Sequence, residues 1–195
     1  MVLEAKTSLP ENYNITTNYS FELSIWQKWA LWSITNKHNT IVCAPTGSGK
    51  TLPAEFAIEL FKSKNKKIIY TSPIKALSNQ KYYDFKIKYP NISFGLLTGD
   101  IKENPEADVI IMTTEILKNS LIDNDTTGLV LDFNLNIKNE VGIIIYDEAH
   151  YFNDEMRGHV WEECYIKQPK NVQMLLMSAT LDNPQQFAKW LETTT

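Results

Sequence analysis

TIVCAPTGSGKT, residues 40–51, is the stretch that decides how this chain folds. Its first half, a run of apolar and β-branched residues, reads as a buried parallel strand. Its second half fits the phosphate-loop pattern, except that Ala44 stands where the pattern has its leading glycine. Pro45, Thr46 and Ser48 complete the turn, while Gly47 and Gly49 can take backbone angles closed to other residues. Successive N–H groups can therefore turn inward around the β- and γ-phosphates of a nucleotide. Lys50 supplies a point charge to the same phosphates. Thr51, at the start of the following helix, presents a hydroxyl suited to Mg2+, and the helix N-terminus adds positive dipole character.

A second segment, YDEAH at Tyr146 to His150, also follows an apolar run, VGIII, and so also sits where a buried strand ends. In α/β folds that is where ligands bind. Asp147 is suited to hold the metal. Glu148 is suited to orient or deprotonate an attacking water, because phosphoryl transfer needs positioning and charge neutralisation more than covalent chemistry. Either segment alone could be a chance Gly-Lys-Thr turn or an acidic helix cap. Together, in this order, they imply a magnesium-dependent nucleotide triphosphatase.

The rest of the composition bounds this reading. A chain of 195 residues, 43% apolar and 11% aromatic, can bury one substantial core without covalent staples. Cys43 and Cys164 show no metal or redox spacing; Cys43, inside the first strand, is expected in the core, and a reduced, intracellular (cytoplasmic or nuclear) setting follows. The N-terminal stretch MVLEAKTSLPENYN lacks an apolar signal region, and no run approaches the roughly 20 apolar residues of a membrane span. Net charge is −4 and the pI about 5.4, so any nucleic-acid binding must be local. The run Lys62, Lys64, Lys66 and Lys67 closes a helix, where cations complement the dipole and face solvent. Arg157 is the sole arginine. It falls on the helix after the acidic segment, away from a γ-phosphate, so an arginine finger has to come from elsewhere.

Along the chain, residues 1–20 read as a polar lead-in and 21–195 as one nucleotide-binding domain. A helix from Ser24 to Asn36 carries Trp26, Trp29 and Trp32 at core spacing. Strands at 40–44, 67–72, 92–97, 108–112, 141–147 and 172–177 alternate with helices at 51–63, 75–87, 114–122, 154–166 and 184–193. Such alternation predicts an α/β fold: a parallel sheet with helices on both faces, in three layers. Asn124 to Glu140 reads as a surface excursion with a short hairpin.

Further segments, in order, carry a family resemblance: FELSIWQ (Phe21 to Gln27), YTSPIKALSNQKYYDF (Tyr70 to Phe85), GLLTGD (Gly95 to Asp100), IMTTEIL (Ile111 to Leu117), YDEAHYFND (Tyr146 to Asp154), RGHVWEE (Arg157 to Glu163) and MSAT (Met177 to Thr180). With the phosphate loop, they make residues 20–192 closely resemble the first RecA-like domain of superfamily 2 DExH-box RNA helicases of the superkiller, exosome-cofactor type. TSPIKALSNQ discriminates most. Asn119 to Glu140 is longer than the family's usual connection, and the second RecA-like domain lies outside this chain.

The resemblance implies a RecA-like P-loop NTPase fold, ATP and Mg2+ as cofactors, and ATP-driven movement along single-stranded RNA once a second RecA-like domain completes the site. It implies that Phe21 packs on adenine and Gln27 hydrogen-bonds its edge, as an amide can. It places Thr71, Ser72, Pro73, Lys75, Asn79, Gly99, Thr113, Thr114 and Glu115 on a nucleic-acid track, although Ser and Thr at helix starts also serve as ordinary N-caps. Ser178 and Thr180, with His150, resemble the segment coupling hydrolysis to domain movement. The RNA-decay machinery is the implied wider partner. DNA is the alternative polymer, and a nucleotide-dependent switch or scaffold without turnover is the alternative class.

Overall fold

The computed structural model describes residues 2–10, 12–17, 19–123 and 135–194. Seven strands form one sheet in the order β1 (Thr40–Cys43), β7 (Gln173–Ser178), β6 (Val141–Tyr146), β2 (Lys67–Ser72), β5 (Val109–Thr113), β3 (Phe94–Leu97) and β4 (Lys102–Glu103). All neighbours run parallel except β3 and β4, which pair antiparallel. Most crossovers between parallel strands lay a helix on one face or the other, whereas β3 and β5 are joined through β4 without one.

Period-two alternation sorts the strand residues between two apolar layers. On β2, Ile68 and Tyr70 face one layer, with Ala54, Ala57, Ile58 and Phe61 of α2 (Leu52–Ser63) and Tyr82 and Phe85 of α3 (Lys75–Lys88). Ala30 and Ile34 of α1 (Ile25–Thr35) join the same layer. Ile69 faces the other, with Leu117 and Leu121 of α4 (Thr114–Asp123), Trp161, Cys164 and Tyr165 of α6 (Gly158–Lys167), and Phe187 and Leu191 of α7 (Pro184–Thr194). Ile68, Ile69, Ile110, Ile143 and Ile144 are wholly inaccessible. At about 1.5–3 kcal/mol for each such side chain, the central strands carry much of the stability that fixes the strand ends.

The expected α/β three-layer architecture is present, and most of its elements fall within two residues of their expected bounds. Four local readings change. Cys43 is exposed rather than in the core, because it is the last residue of the edge strand β1, which has a neighbouring strand on one side only. Trp26, Trp29 and Trp32 are half-buried: they line a cavity of about 650 Å3 beside β1, and the Trp29 indole N–H donates to the Ser8 carbonyl at 2.9 Å, tying down the lead-in. The helix expected over 154–166 starts later, as α6 at Gly158, and is preceded by an unexpected 3-10 turn, Ala149–Asn153. Asp154 separates the two by accepting the Met156 and Arg157 N–H groups. Residues 124–134 of the expected hairpin lie outside the described residues, and Ile137–Glu140 is a short helix, α5.

Candidate nucleotide site and strand-end network

The phosphate loop leaves β1 at Ala44, whose N–H donates to the Ser178 carbonyl at 3.1 Å and so fastens the loop to β7. Ser48 closes the turn, its N–H and hydroxyl both donating to the Pro45 carbonyl. Gly47 and Gly49 have φ of +80° and +83°, the left-handed angles expected of them. A Cβ on Gly49 would lie 2.7 Å from the Gln27 amide nitrogen, whereas one on Gly47 would meet nothing within 4 Å. The loop is thus backed by Gln27 at one glycine and open at the other. Pro53, at the start of α2, suits a helix whose first N–H groups point at a ligand.

At the end of β6 the Asp147 N–H donates to the Thr71 carbonyl at 2.9 Å, and the Glu148 N–H donates to Asp147 Oδ1 at 3.0 Å. Glu148 itself has φ 56° and ψ 44°, a left-handed conformation that disfavours most side chains. That conformation turns the Glu148 carboxylate back toward the phosphate loop, where Oε2 comes 3.9 Å from Lys50 Nζ and 3.3 Å from His150 Nδ1. His150 Nδ1 is also 3.5 Å from the Ser178 hydroxyl, which donates to the Thr180 carbonyl at 2.7 Å. One connected set of side chains therefore joins β1, β6 and β7. The Tyr70 hydroxyl donates to the remaining Asp147 oxygen, Oδ2. Burial, reinforced by Asp147, holds this phenol well above its ordinary range, so it stays a donor.

The residues fit a magnesium nucleotide. No group of three or more His, Cys, Asp or Glu among the described residues could hold a metal unaided. Mg2+ is bound through one or two protein oxygens together with the substrate's phosphates. Thr51 and Asp147 are the two candidates for those oxygens. At the other end of the loop, Gln27 Oε1 accepts from the N–H and hydroxyl of Ser24 at 2.9 and 3.0 Å, and its amide nitrogen lies beside Gly49. Phe21 is exposed and stacked on Tyr19 at 5.4 Å.

The nine residues of the expected nucleic-acid track divide. Lys75 and Gly99 are exposed, and Asn79 and Glu115 are half-buried. Thr71, Ser72, Pro73, Thr113 and Thr114 are buried, and three of their hydroxyls are committed internally: Thr71 to Thr114, Thr114 to the Ser72 carbonyl, and Ser72 with Ser78. They tie the ends of β2 and β5 together instead of standing free for phosphate. Lys75 is paired with Asp100 at 2.8 Å. Arg157 donates to the Pro73 carbonyl at 3.1 Å, a link across 84 residues that no local pattern signals. Tyr70 was equally hidden, because an aromatic residue in an apolar strand reads as core.

A phosphate loop at the end of β1 and an acidic segment at the end of β6, with β7 between them in one parallel sheet, make a RecA-like P-loop domain. The chain belongs to the DEAD/DEAH box helicase family, which matches residues 24–187. It is similar to the antiviral helicase SKI2 of Saccharomyces cerevisiae, at 43% identity over 91% of this chain and 13% of that protein. It is also similar to the DExH-box ATP-dependent RNA helicase DExH9 of Arabidopsis thaliana (39%, over 94% and 18%). Among solved structures, the Mycobacterium smegmatis helicase Lhr bound to ssDNA and AMP-PNP aligns with a TM-score of 0.63 and 25% identity, over 84% of this chain and 23% of that one. The chain thus spans less than a quarter of each of these relatives. The superkiller-type resemblance of its motifs stands.

Proposed function

We propose that this chain is the ATP-binding first RecA-like domain of an ATP-dependent RNA helicase, which translocates on and unwinds RNA when a second RecA-like domain completes it. The observation that carries the reading is the meeting of Lys50, Glu148 and His150 between two strand ends, with Asp147 beside them. Lys50 and the loop N–H groups bind and orient the phosphates. Thr51 and Asp147 hold Mg2+, which when bound neutralises phosphate charge. Glu148 takes the proton of the attacking water or orients it, and His150 and Ser178 connect that carboxylate to the segment ending at Thr180. Intact Lys50, Asp147 and Glu148 favour turnover over a switch or scaffold role.

Single-stranded RNA as polymer is supported by similarity to DExH9, named an RNA helicase. A DNA translocase is the second reading, favoured by likeness to a helicase solved with ssDNA. The RNA-decay machinery is the proposed wider partner, and the proposed setting is intracellular. No helix among the described residues is long and apolar enough to cross a membrane.

Calorimetric titration with ATP tests the site. Lys50→Ala is expected to abolish most of the affinity, and Glu148→Gln to bind ATP with Mg2+ yet fail to hydrolyse it, since only the first removes phosphate charge. Undiminished affinity in Lys50→Ala would refute the assignment.

A further inference from the structure

Tyr70 lies on the central strand β2 at a position whose neighbours, Ile68 and Ile69, show that an apolar side chain suffices for the core. A buried hydroxyl there is costly unless it is hydrogen-bonded. It is bonded, to Asp147 Oδ2, across 77 residues of sequence. The ring cannot swing away: it is wholly inaccessible and meets the Phe85 ring edge-on at 5.5 Å and 81°. The other hydrogen bond to that carboxylate among the described residues is local, from the Glu148 N–H to Oδ1, while the Asp147 N–H fastens only the backbone, to the Thr71 carbonyl of β2. The phenol is the contact that fixes the rotation of that carboxylate from outside its own segment.

We propose that Tyr70 is a positioning residue for the metal-holding carboxylate, setting the direction in which Asp147 presents its free lone pairs to Mg2+. This rests on the assignment of Asp147 to the metal made above. Mg2+ demands near-ideal octahedral geometry, so a carboxylate free to rotate binds it less well. Partners that orient a metal ligand are commonly worth 10–100-fold in metal affinity. Lys50 and the loop N–H groups bind phosphate without help from Tyr70, so nucleotide affinity in the absence of metal is independent of the phenol.

The test uses the full 195-residue chain, a non-hydrolysable ATP analogue, and titration with Mg2+ or with a chelator. Tyr70→Phe is expected to lose roughly 10–100-fold of affinity in Mg2+ and none in chelator. Mn2+ binding to the nucleotide complex, followed by electron paramagnetic resonance, should weaken in parallel. Tyr146→Phe is the control. It removes a buried phenol on the neighbouring strand, bonded to Gln168 at 2.9 Å, and should lower the melting temperature without changing metal dependence. Equal metal dependence in Tyr70→Phe and the wild type overturns the proposal while leaving the nucleotide site standing. A wild-type chain that binds the analogue equally with and without metal removes both. Should Tyr70→Phe fail to fold, the wild type still decides. Its buried Tyr70 hydroxyl proton, assigned through contacts to Phe85, should shift when Mg2+ is added to the nucleotide complex, and an unmoved resonance counts against the role.

Discussion

At the scale of single residues, the two cysteines show how much depends on where a strand lies in the sheet. Cys43 sits in an apolar run and Cys164 follows two glutamates, yet the first is exposed on the edge strand and the second buried in α6. Burial pushes the Cys164 thiol far up, which makes it inert. Cys43 is raised more moderately by desolvation, with Lys50 pulling it back. A raised pKa means less thiolate at neutral pH. A thiol reagent should therefore label the native chain once, at Cys43, slowly at pH 7 and faster as pH rises, with the second thiol appearing only in denaturant. Mass spectrometry of the labelled peptides checks this, and fast native labelling of Cys164 would mean that α6 does not pack as described.

At the scale of elements, the strands were legible because each is an unbroken apolar run between turn residues; β2 falls on its expected residues, Lys67–Ser72. What was not legible depends on contacts distant in sequence. β4 is two charged residues with no periodicity, fixed by pairing with β3. The break before α6 depends on Gly158, where a Cβ would stand 2.4 Å from the Phe152 carbonyl oxygen, an approach between two turns that no local pattern announces. At the site the phosphate loop and acidic segment were legible, whereas burial of Thr71, Ser72 and Thr114 was not, since a hydroxyl at a strand end reads the same whether it faces solvent or its neighbour. Packing of α6 against β6 supplies a paired test. The Tyr165 hydroxyl is buried and finds no partner among the described residues, whereas that of Tyr146 donates to Gln168. Tyr165→Phe should be neutral or stabilising, because it removes an unsatisfied group whose burial costs about 1–3 kcal/mol. Tyr146→Phe should cost about 1 kcal/mol. Denaturant midpoints compared at constant slope check both, and destabilisation by Tyr165→Phe would show that its hydroxyl is satisfied.

At the scale of the whole molecule, the decisive fact is that Arg157 is occupied. Its guanidinium is committed to the Pro73 carbonyl, and no other arginine exists in the chain. Stabilising transition-state charge by an arginine is worth about 10³–10⁵ in rate. ATP hydrolysis by this chain alone should therefore fall at least about 10³-fold below that of an intact helicase, without strand separation, and steady-state phosphate release with a tailed duplex measures both.

Polymer binding follows the same logic of incomplete equipment. With a net charge of −4, the molecule offers phosphate no general attraction, and its best-placed exposed cation, Lys75, is already paired with Asp100. The Asp100 carboxyl is held below its ordinary range by Lys75 and the Thr98 hydroxyl, so this competitor stays ionised at neutral pH. A phosphate reaching Lys75 must displace it. Binding to single strands should be weak, indifferent to sequence and strongly salt-dependent. Lys75→Ala should weaken all sequences alike and flatten the log–log salt slope by about 0.7, the contribution of one phosphate contact on a single strand. Asp100→Asn should do the opposite to affinity, because it frees the cation without removing it. Fluorescence anisotropy with matched RNA and DNA oligomers at several salt concentrations reads all three. A slope unmoved by Lys75→Ala would confine that lysine to its ion pair, and equal or tighter binding to duplex DNA would transfer the assignment to a DNA translocase.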